Sequence, residues 1–178
     1  MPRLMSVALT TGQVKARQKT VTRRAGWKVL KPGDLVTLCP KVRGRRAGEP
    51  LERLVTVEVV STRRERLDSI TPEDVIAEGF PDMTPDQFIE FFAATHRGVT
   101  ASTEITRIQW QYPRECRSGG CTDYQACETL HGPCAWQATY DDHTGICTAC
   151  QLPENKPNAG PTTRKPNRPM SPQDGAHG

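Results

Sequence analysis

Two short segments of this 178-residue chain carry side chains able to do chemistry. The first is Lys19-Thr20-Val21-Thr22-Arg23-Arg24. Lys19 and Thr22 stand three positions apart, which on a continuing helix puts them on one face. An amine of lowered pKa beside a threonine hydroxyl can serve as base to a nucleophile. Such a pair also needs a carboxylate to orient it or to shuttle protons. The same residues equally suit a basic surface turn with no chemistry at all.

The second segment holds six of the seven cysteines: Cys116, Cys121, Cys127, Cys134, Cys147 and Cys150. Cys147-x2-Cys150 can point two thiolates at one tetrahedral ion, the geometry of a structural zinc site. Gly119-Gly120, just before Cys121, permits a tight turn. One zinc takes four ligands, so six cysteines overfill one site and underfill two. His131 and His143 would raise the count to eight, but neither has diagnostic spacing, and both are expected in surface loops. A catalytic zinc is disfavoured, because no His-x-Glu or His-Cys-Cys pattern leaves an open fourth position. Disulfides remain the alternative. Cys39 stands alone at a strand end and reads as a buried thiol.

The elements around these segments follow from hydrophobic pattern and turn chemistry. Ser6–Leu9 reads as a first strand, and Thr10 with Gln13 as a capping box opening a helix that runs to about Arg23–Gly26. That helix would carry Lys15, Arg17 and Lys19. Lys31-Pro32-Gly33-Asp34 is a turn, Leu35–Leu38 a strand, 41–50 a basic loop, and Leu54–Val60 a β-branched strand. Thr71 caps a helix with Pro72 at its first position, stapled by Ile70 and Val75 and stopped by Gly79. Thr84, Pro85 and Gln87 repeat the arrangement, stapled by Met83 and Phe88. Phe88, Phe91 and Phe92 share one helical face and read as core, not as a base-stacking platform. Thr106 to Tyr112 alternates apolar and polar residues as a closing strand. Strands with inserted helices and no regular βαβ spacing indicate an α+β fold: a small β-barrel decorated with helices. Residues 152–178, with six prolines and few apolar residues, read as a disordered tail.

The first segment resembles the signature of ASCH domains, a branch of the PUA-like barrels, whose pattern is Gly-x-Lys-x-x-Thr-x-Arg. Lys19, Thr22 and Arg24 match its last three fixed positions, and Arg17 stands where the pattern has Gly. Lys31-Pro32-Gly33-Asp34, two strands and Ala77-Glu78-Gly79-Phe80 follow in the family's order, and the likeness covers roughly 4–112. It is greatest to ASCH proteins of phages and their hosts. The resemblance implies a cleft for RNA, a nucleotide or a modified base. Some bacterial members are N4-acetylcytidine amidohydrolases. On that model Lys19 is the base, Thr22 the nucleophile and Glu78 the proton shuttle. A ligand-contacting cluster without chemistry is the other reading of the three residues, and a surface carboxylate the other reading of Glu78. Arg24 would contact a phosphate or brace the cleft, with Lys15, Arg17 and Arg23 as further cationic contacts. Trp27 could flank a base or pack in the core. The cysteine segment resembles a Cys-rich module of phage proteins with an opening Cys-x2-Cys pair. Gly119 occupies the place of the pair's second cysteine, and Cys121 is the candidate replacement ligand.

Charge is unevenly distributed. Residues 1–66 hold 16 of 24 Lys/Arg and 5 of 20 Asp/Glu, a net of +11, while the remainder holds 8 and 15, a net of −7. A basic half suits an anionic partner or is simply a solvated face. No run of about 18 apolar residues suits a membrane span, and no signal-peptide core appears, so the cytoplasm (the host's, for a phage protein) is expected. Thiols stay reduced there, which favours metal over disulfides. The expected organisation is an ASCH/PUA-like domain over 1–113, a zinc module over 114–151 and the tail. The expected function is binding of a nucleic acid, RNA ahead of DNA, or of a nucleotide or modified nucleoside. The alternative is an amidohydrolase acting on an acylated base.

Overall fold

The computed structural model describes residues 2–150. The expected tail over 152–178 lies outside the described residues. Among the described residues no helix is long and apolar enough to cross a membrane.

Five strands form one mixed sheet: β1 (Arg3–Ser6), β2 (Val21–Arg24), β3 (Leu35–Cys39), β4 (Val55–Arg66) and β5 (Glu104–Gln111). Their spatial order is β1-β3-β4-β5-β2, with β1 parallel to β3 and every other pairing antiparallel. The fold is thus α+β and dominated by sheet. The expected barrel does not close among the described residues, because β1 and β2 share no ladder. Instead, the Arg24 guanidinium on β2 donates to the Ser6 carbonyl on β1 at 2.5 Å. One side chain links the two open edges.

The first helix differs from the sequence-based expectation. β1 ends at Ser6, a 3-10 turn spans Ala8–Thr10, and α1 is only Thr11–Lys15. Thr10 makes no side-chain cap, so the expected Thr10–Gln13 capping box is absent. Arg17 takes a left-handed conformation (φ 57°), which stops the helix. That conformation favours glycine, the residue of the ASCH pattern at this place. Lys19 therefore sits in a connector and Thr22 on a strand, not on one helical face.

The later helices follow local chemistry closely. In α2 (Pro72–Ala77) the Thr71 hydroxyl accepts from the Asp74 amide at 3.2 Å. In α3 (Pro85–Thr95) both halves of the Thr84–Gln87 capping box form. Gly79 ends α2 at φ 91°, and a Cβ there would lie 3.2 Å from Gln13 Cβ. Glycine is needed twice over, for the turn and for the approach of α1.

Two apolar clusters fill this region. One contains Met5, Val36, Leu38, Val57, Ile108 and Trp110, with Trp27 packed against it. The other joins α2 and α3 to β5 through Leu67, Ile70, Val75, Phe88, Phe92 and Ile105. Both expected staples, Ile70/Val75 and Met83/Phe88, lie within it. Short strands follow: β6 (Glu115–Cys116), β7 (Glu128–Thr129), β8 (Gly132–Pro133), β9 (Trp136–Thr139) and β10 (Thr144–Cys147). They form a three-stranded sheet, β6-β10-β9, and a β7–β8 hairpin. The buried cluster here is made of cysteines, with Ile146 of β10 also buried.

Candidate functional site

Backbone contacts bring Lys19 to Glu78 across 59 positions of sequence. The Thr20 amide donates to the Ala77 carbonyl at 2.9 Å, pinning the lead-in to β2 against the end of α2. The Lys19 ammonium then donates to the Glu78 carboxylate at 2.8 Å and to its main-chain carbonyl at 2.5 Å. Tyr112 donates to the Lys19 carbonyl at 2.7 Å and fixes the connector from the other side. Both ionised side chains are almost wholly buried, 3% and 4% exposed. Burial pushes the Lys19 pKa below the ordinary lysine value, while the Glu78 charge and hydrogen bond partly oppose the shift. A buried pair of this kind repays its desolvation only through good geometry and further hydrogen bonds.

A row of arginines supplies those further bonds. Arg63 on β4, Arg107 on β5 and Arg23 on β2 stand directly across from one another in register. Like charges so placed repel. Asp74, projecting from α2, accepts from Arg107 at 2.8 Å and also from Arg23. Glu65 accepts from Arg23 at 2.8 Å and from Arg63 at 2.5 Å. The second Glu78 oxygen faces Arg23 at 3.4 Å. Desolvation would raise the Asp74 pKa, yet hydrogen bonds from Arg107 and Arg23 bring it below the usual carboxylate value. Arg23, expected as a ligand contact, is held by three carboxylates within the protein.

A cavity of about 290 Å³ opens over this network. Lys19, Thr22, Arg24 and Glu78 line one side, and Phe80, Phe88, Phe91, Phe92 and His96 line another. Thr22 forms none of the hydrogen bonds that tie Lys19 and Glu78 together. The His96 ring stacks on Phe92 with centroids 4.0 Å apart. Phe88 and Phe92 are core, as their spacing indicates, whereas Phe91 is half-buried and outside that cluster; all three wall the cavity. Sequence reasoning missed that wall, together with Asp74, Glu65 and Arg107. A helical phenylalanine face gave a signal only for burial, and Asp74 only for a helix start.

The remaining candidates lie elsewhere. Trp27 (φ 64°) packs against the sheet core and is not among the cavity-lining residues. Lys15 pairs with Glu52 at 3.4 Å. Arg17 bonds Glu115 and, at 3.1 Å, the Pro113 carbonyl. Both line a separate cavity of about 310 Å³, which also includes Tyr112, Glu115 and Tyr124. Arg17 thus ties the sheet region to the cysteine segment instead of facing Lys19. Much of the basic excess is neutralised locally: Arg63, Arg64 and Arg66 pair with Glu65, Glu104 and Asp68. Exposed cations remain in the loop before β4, Arg43, Arg46 and Arg53 among them.

All seven cysteines are unbridged, and Cys39 is fully buried. Four thiols, Cys121, Cys127, Cys134 and Cys147, lie mutually within 4.8 Å, as do Cys116, Cys147 and Cys150. The Cys121 and Cys134 sulfurs are 3.6 Å apart. Zinc–sulfur bonds of about 2.3 Å set tetrahedral sulfurs roughly 3.8 Å apart, so the donor set fits a metal ion. Backbone amides also donate to sulfur, Gly119 to Cys116 at 3.4 Å and Cys127 to Cys134 at 3.1 Å. Burial opposes ionisation of Cys147, but hydrogen bonds from the Cys121 and Cys150 thiols bring its pKa down to about 6. His131 and His143 are exposed, as expected, and belong to neither thiol group.

The chain matches no protein-family model and no curated protein. The crystal structure of ASCH from Zymomonas mobilis superposes on 62% of this chain and 69% of its own, at 11% identity and a TM-score of 0.41.

Proposed function

We propose that this chain is an ASCH-type protein that binds a nucleotide, or one base of a nucleic acid, in the cavity over Lys19 and Glu78. The observation that carries the reading is the cavity's two-sided lining. Polar groups (Arg24, Thr22 and the paired Lys19 and Glu78) face an aromatic wall that comes largely from α3. Polar groups suit the edge of a base or a phosphate oxygen, and aromatic rings suit its π-face. A volume of about 290 Å³ admits a base or nucleoside, not a run of nucleotides. A longer strand would continue over exposed cations such as Arg43 and Arg46, with RNA favoured over DNA. Zinc on the cysteine segment is proposed as a structural support. Isothermal titration with single nucleosides and short RNAs, at low and high salt, tests the reading. Binding that weakens with salt and is lost in Phe91→Ala supports it. Affinity unchanged in Phe91→Ala and across salt would overturn it.

A second reading rests on the convergence of Lys19, Thr22 and Glu78, which the ASCH resemblance casts as an amidohydrolase site. The Lys19 amine, after passing its proton to Glu78, would accept the Thr22 hydroxyl proton. The Thr22 oxygen would attack the acyl carbonyl of a base such as N4-acetylcytidine. The exocyclic amine would leave carrying a proton, and water would release the acyl group as a carboxylic acid. Burial favours this step, because it lowers the cost of a neutral lysine. The test is acetate release from N4-acetylcytidine. Turnover at least about 100-fold above that of Thr22→Val is expected for a nucleophile of this kind. Equal rates would eliminate the hydrolase reading and leave the binding one standing.

A further inference from the structure

The two thiol groups share a member, Cys147. We infer that the cysteine segment binds two zinc-like divalent ions, bridged by the Cys147 thiolate. This inference deepens, and rests on, the reading of the segment as a metal module. The first ion takes four thiolates: Cys121, Cys127, Cys134 and Cys147. The second takes Cys116, Cys147 and Cys150. No other Cys, His, Asp or Glu of the described residues joins that second group. Its fourth position is therefore open to a solvent molecule.

Local structure explains why Cys147 reaches both. It ends β10 where the ladder to β9 shifts register, between Ile146 and Cys147. Such an irregularity re-aims a side chain. The Cys150 amide then donates to the Cys147 carbonyl at 2.9 Å, turning the chain back so that Cys150 comes alongside. On the facing strand, the Gly120 amide donates to the Cys116 carbonyl and the Gly119 amide to the Cys116 sulfur. Amides donating to a sulfur support the thiolate form that a metal requires.

Charge allows the second ion. A single divalent ion in the first group leaves Cys116 and Cys150 as neutral thiols packed against an anionic four-thiolate site. Six thiolates with two divalent ions carry the same formal charge of −2 as four thiolates with one. The second ion thus uses every clustered thiol without adding charge. Borderline-soft zinc suits an all-thiolate set.

Gly119 acts as the gate to the second ion. A Cβ at this position would stand 2.5 Å from the Cys150 sulfur, while the Cys127 sulfur at 3.7 Å and the Cys116 sulfur at 3.9 Å would be at ordinary contact distance. The first distance is too short for any side chain, so Cys150 can take its place only beside glycine. Gly119→Ala should displace Cys150 and remove the second ion while leaving the first.

Native mass spectrometry of the full chain, saturated with zinc under reducing conditions, reads the stoichiometry directly. Two ions per chain are expected in the wild type, and one in Gly119→Ala and in Cys116→Ser. The cadmium-substituted wild type should give two cadmium NMR resonances, reducing to one in either variant. One ion in the saturated wild type, with two thiols still titratable, would overturn the inference but keep the metal module. No bound metal would overturn both. Two ions in Cys116→Ser would overturn the assignment of ligands. The wild-type count decides the number of ions even if a variant does not fold.

Discussion

The sheet region and the cysteine segment solve the same stability problem with different chemistry. The former buries aliphatic and aromatic side chains in two clusters and covers them with capped helices. In the latter, the buried cluster is cysteine, Ile146 is the one large aliphatic side chain buried among the described residues of the segment, and Leu130 at a hairpin tip is fully exposed. A segment of about 35 residues cannot bury enough hydrocarbon to fold alone, and its clustered thiols, with the ion we propose for them, take the place of a core. The difference teaches where each region is vulnerable. One is expected to fail when its packing or buried charges are disturbed, the other when the proposed ion is removed.

The largest expected effect separates the two regions outright. Chelation should cost the cysteine segment on the order of 10 kcal/mol, as for structural zinc sites. Hydrogen exchange of residues 115–150 should then become unprotected while β2, β4 and β5 stay protected. Equal protection before and after chelation would break the comparison.

Next come the buried charges, which belong to the sheet region alone. Asp74→Ala leaves Arg23 and Arg107 facing each other with no carboxylate between them. About 3–5 kcal/mol of stability should be lost in urea unfolding. The same carboxylate makes a pH prediction. Its folded pKa is depressed, so its contribution is fully present above the unfolded value of about 3.9 and fades as pH falls through the folded value. Asp74→Asn should therefore flatten the acid limb of the stability curve. An unchanged slope below pH 4 would show that another group controls acid unfolding.

Packing is expected to follow. Leu38 is fully buried between the strands, and Leu38→Ala should cost about 2–5 kcal/mol. Zinc retention by the cysteine segment should not change, which sharpens the division between the regions. Loss of zinc in this variant would show that the two fold as one unit. The smallest effect is at the α3 cap. Thr84→Ala removes one half of a capping box and should lower the thermal midpoint by an amount equivalent to about 1 kcal/mol.

The parts legible in advance were those encoded by neighbours in sequence. Thr71-Pro72 and Thr84-Pro85-Gln87 announce their helices because a cap is built from residues two or three positions apart. The strands at Leu35 and Val55 and the burial of Phe88 and Phe92 read correctly from periodicity, while Phe91 is only half-buried. The helix through Lys19 did not, because Thr10 fits a capping box by composition yet caps nothing. An arginine gives no local propensity for the left-handed backbone of Arg17, and the glycine of the resembled pattern at that place was the one hint. The Arg17 side chain is anchored to Glu115, 98 positions away, and local propensity cannot register that contact. The barrel expectation failed at the same level, since closure depends on how far a sheet curls.

By itself, the sequence determined the chemistry available: a lysine and a threonine near an arginine pair, and six clustered thiols. It also determined the helix starts and the division between an apolar and a cysteine-rich region. Only the tertiary structure decided that Lys19 meets Glu78 inside a cavity and that Arg23 is held by carboxylates. It alone decided that Cys147 belongs to both thiol groups. Caps and periodicity act over a few residues, and so they are written locally. Salt bridges and thiol clusters form between residues far apart in the chain, and their geometry exists only once the sheets have paired.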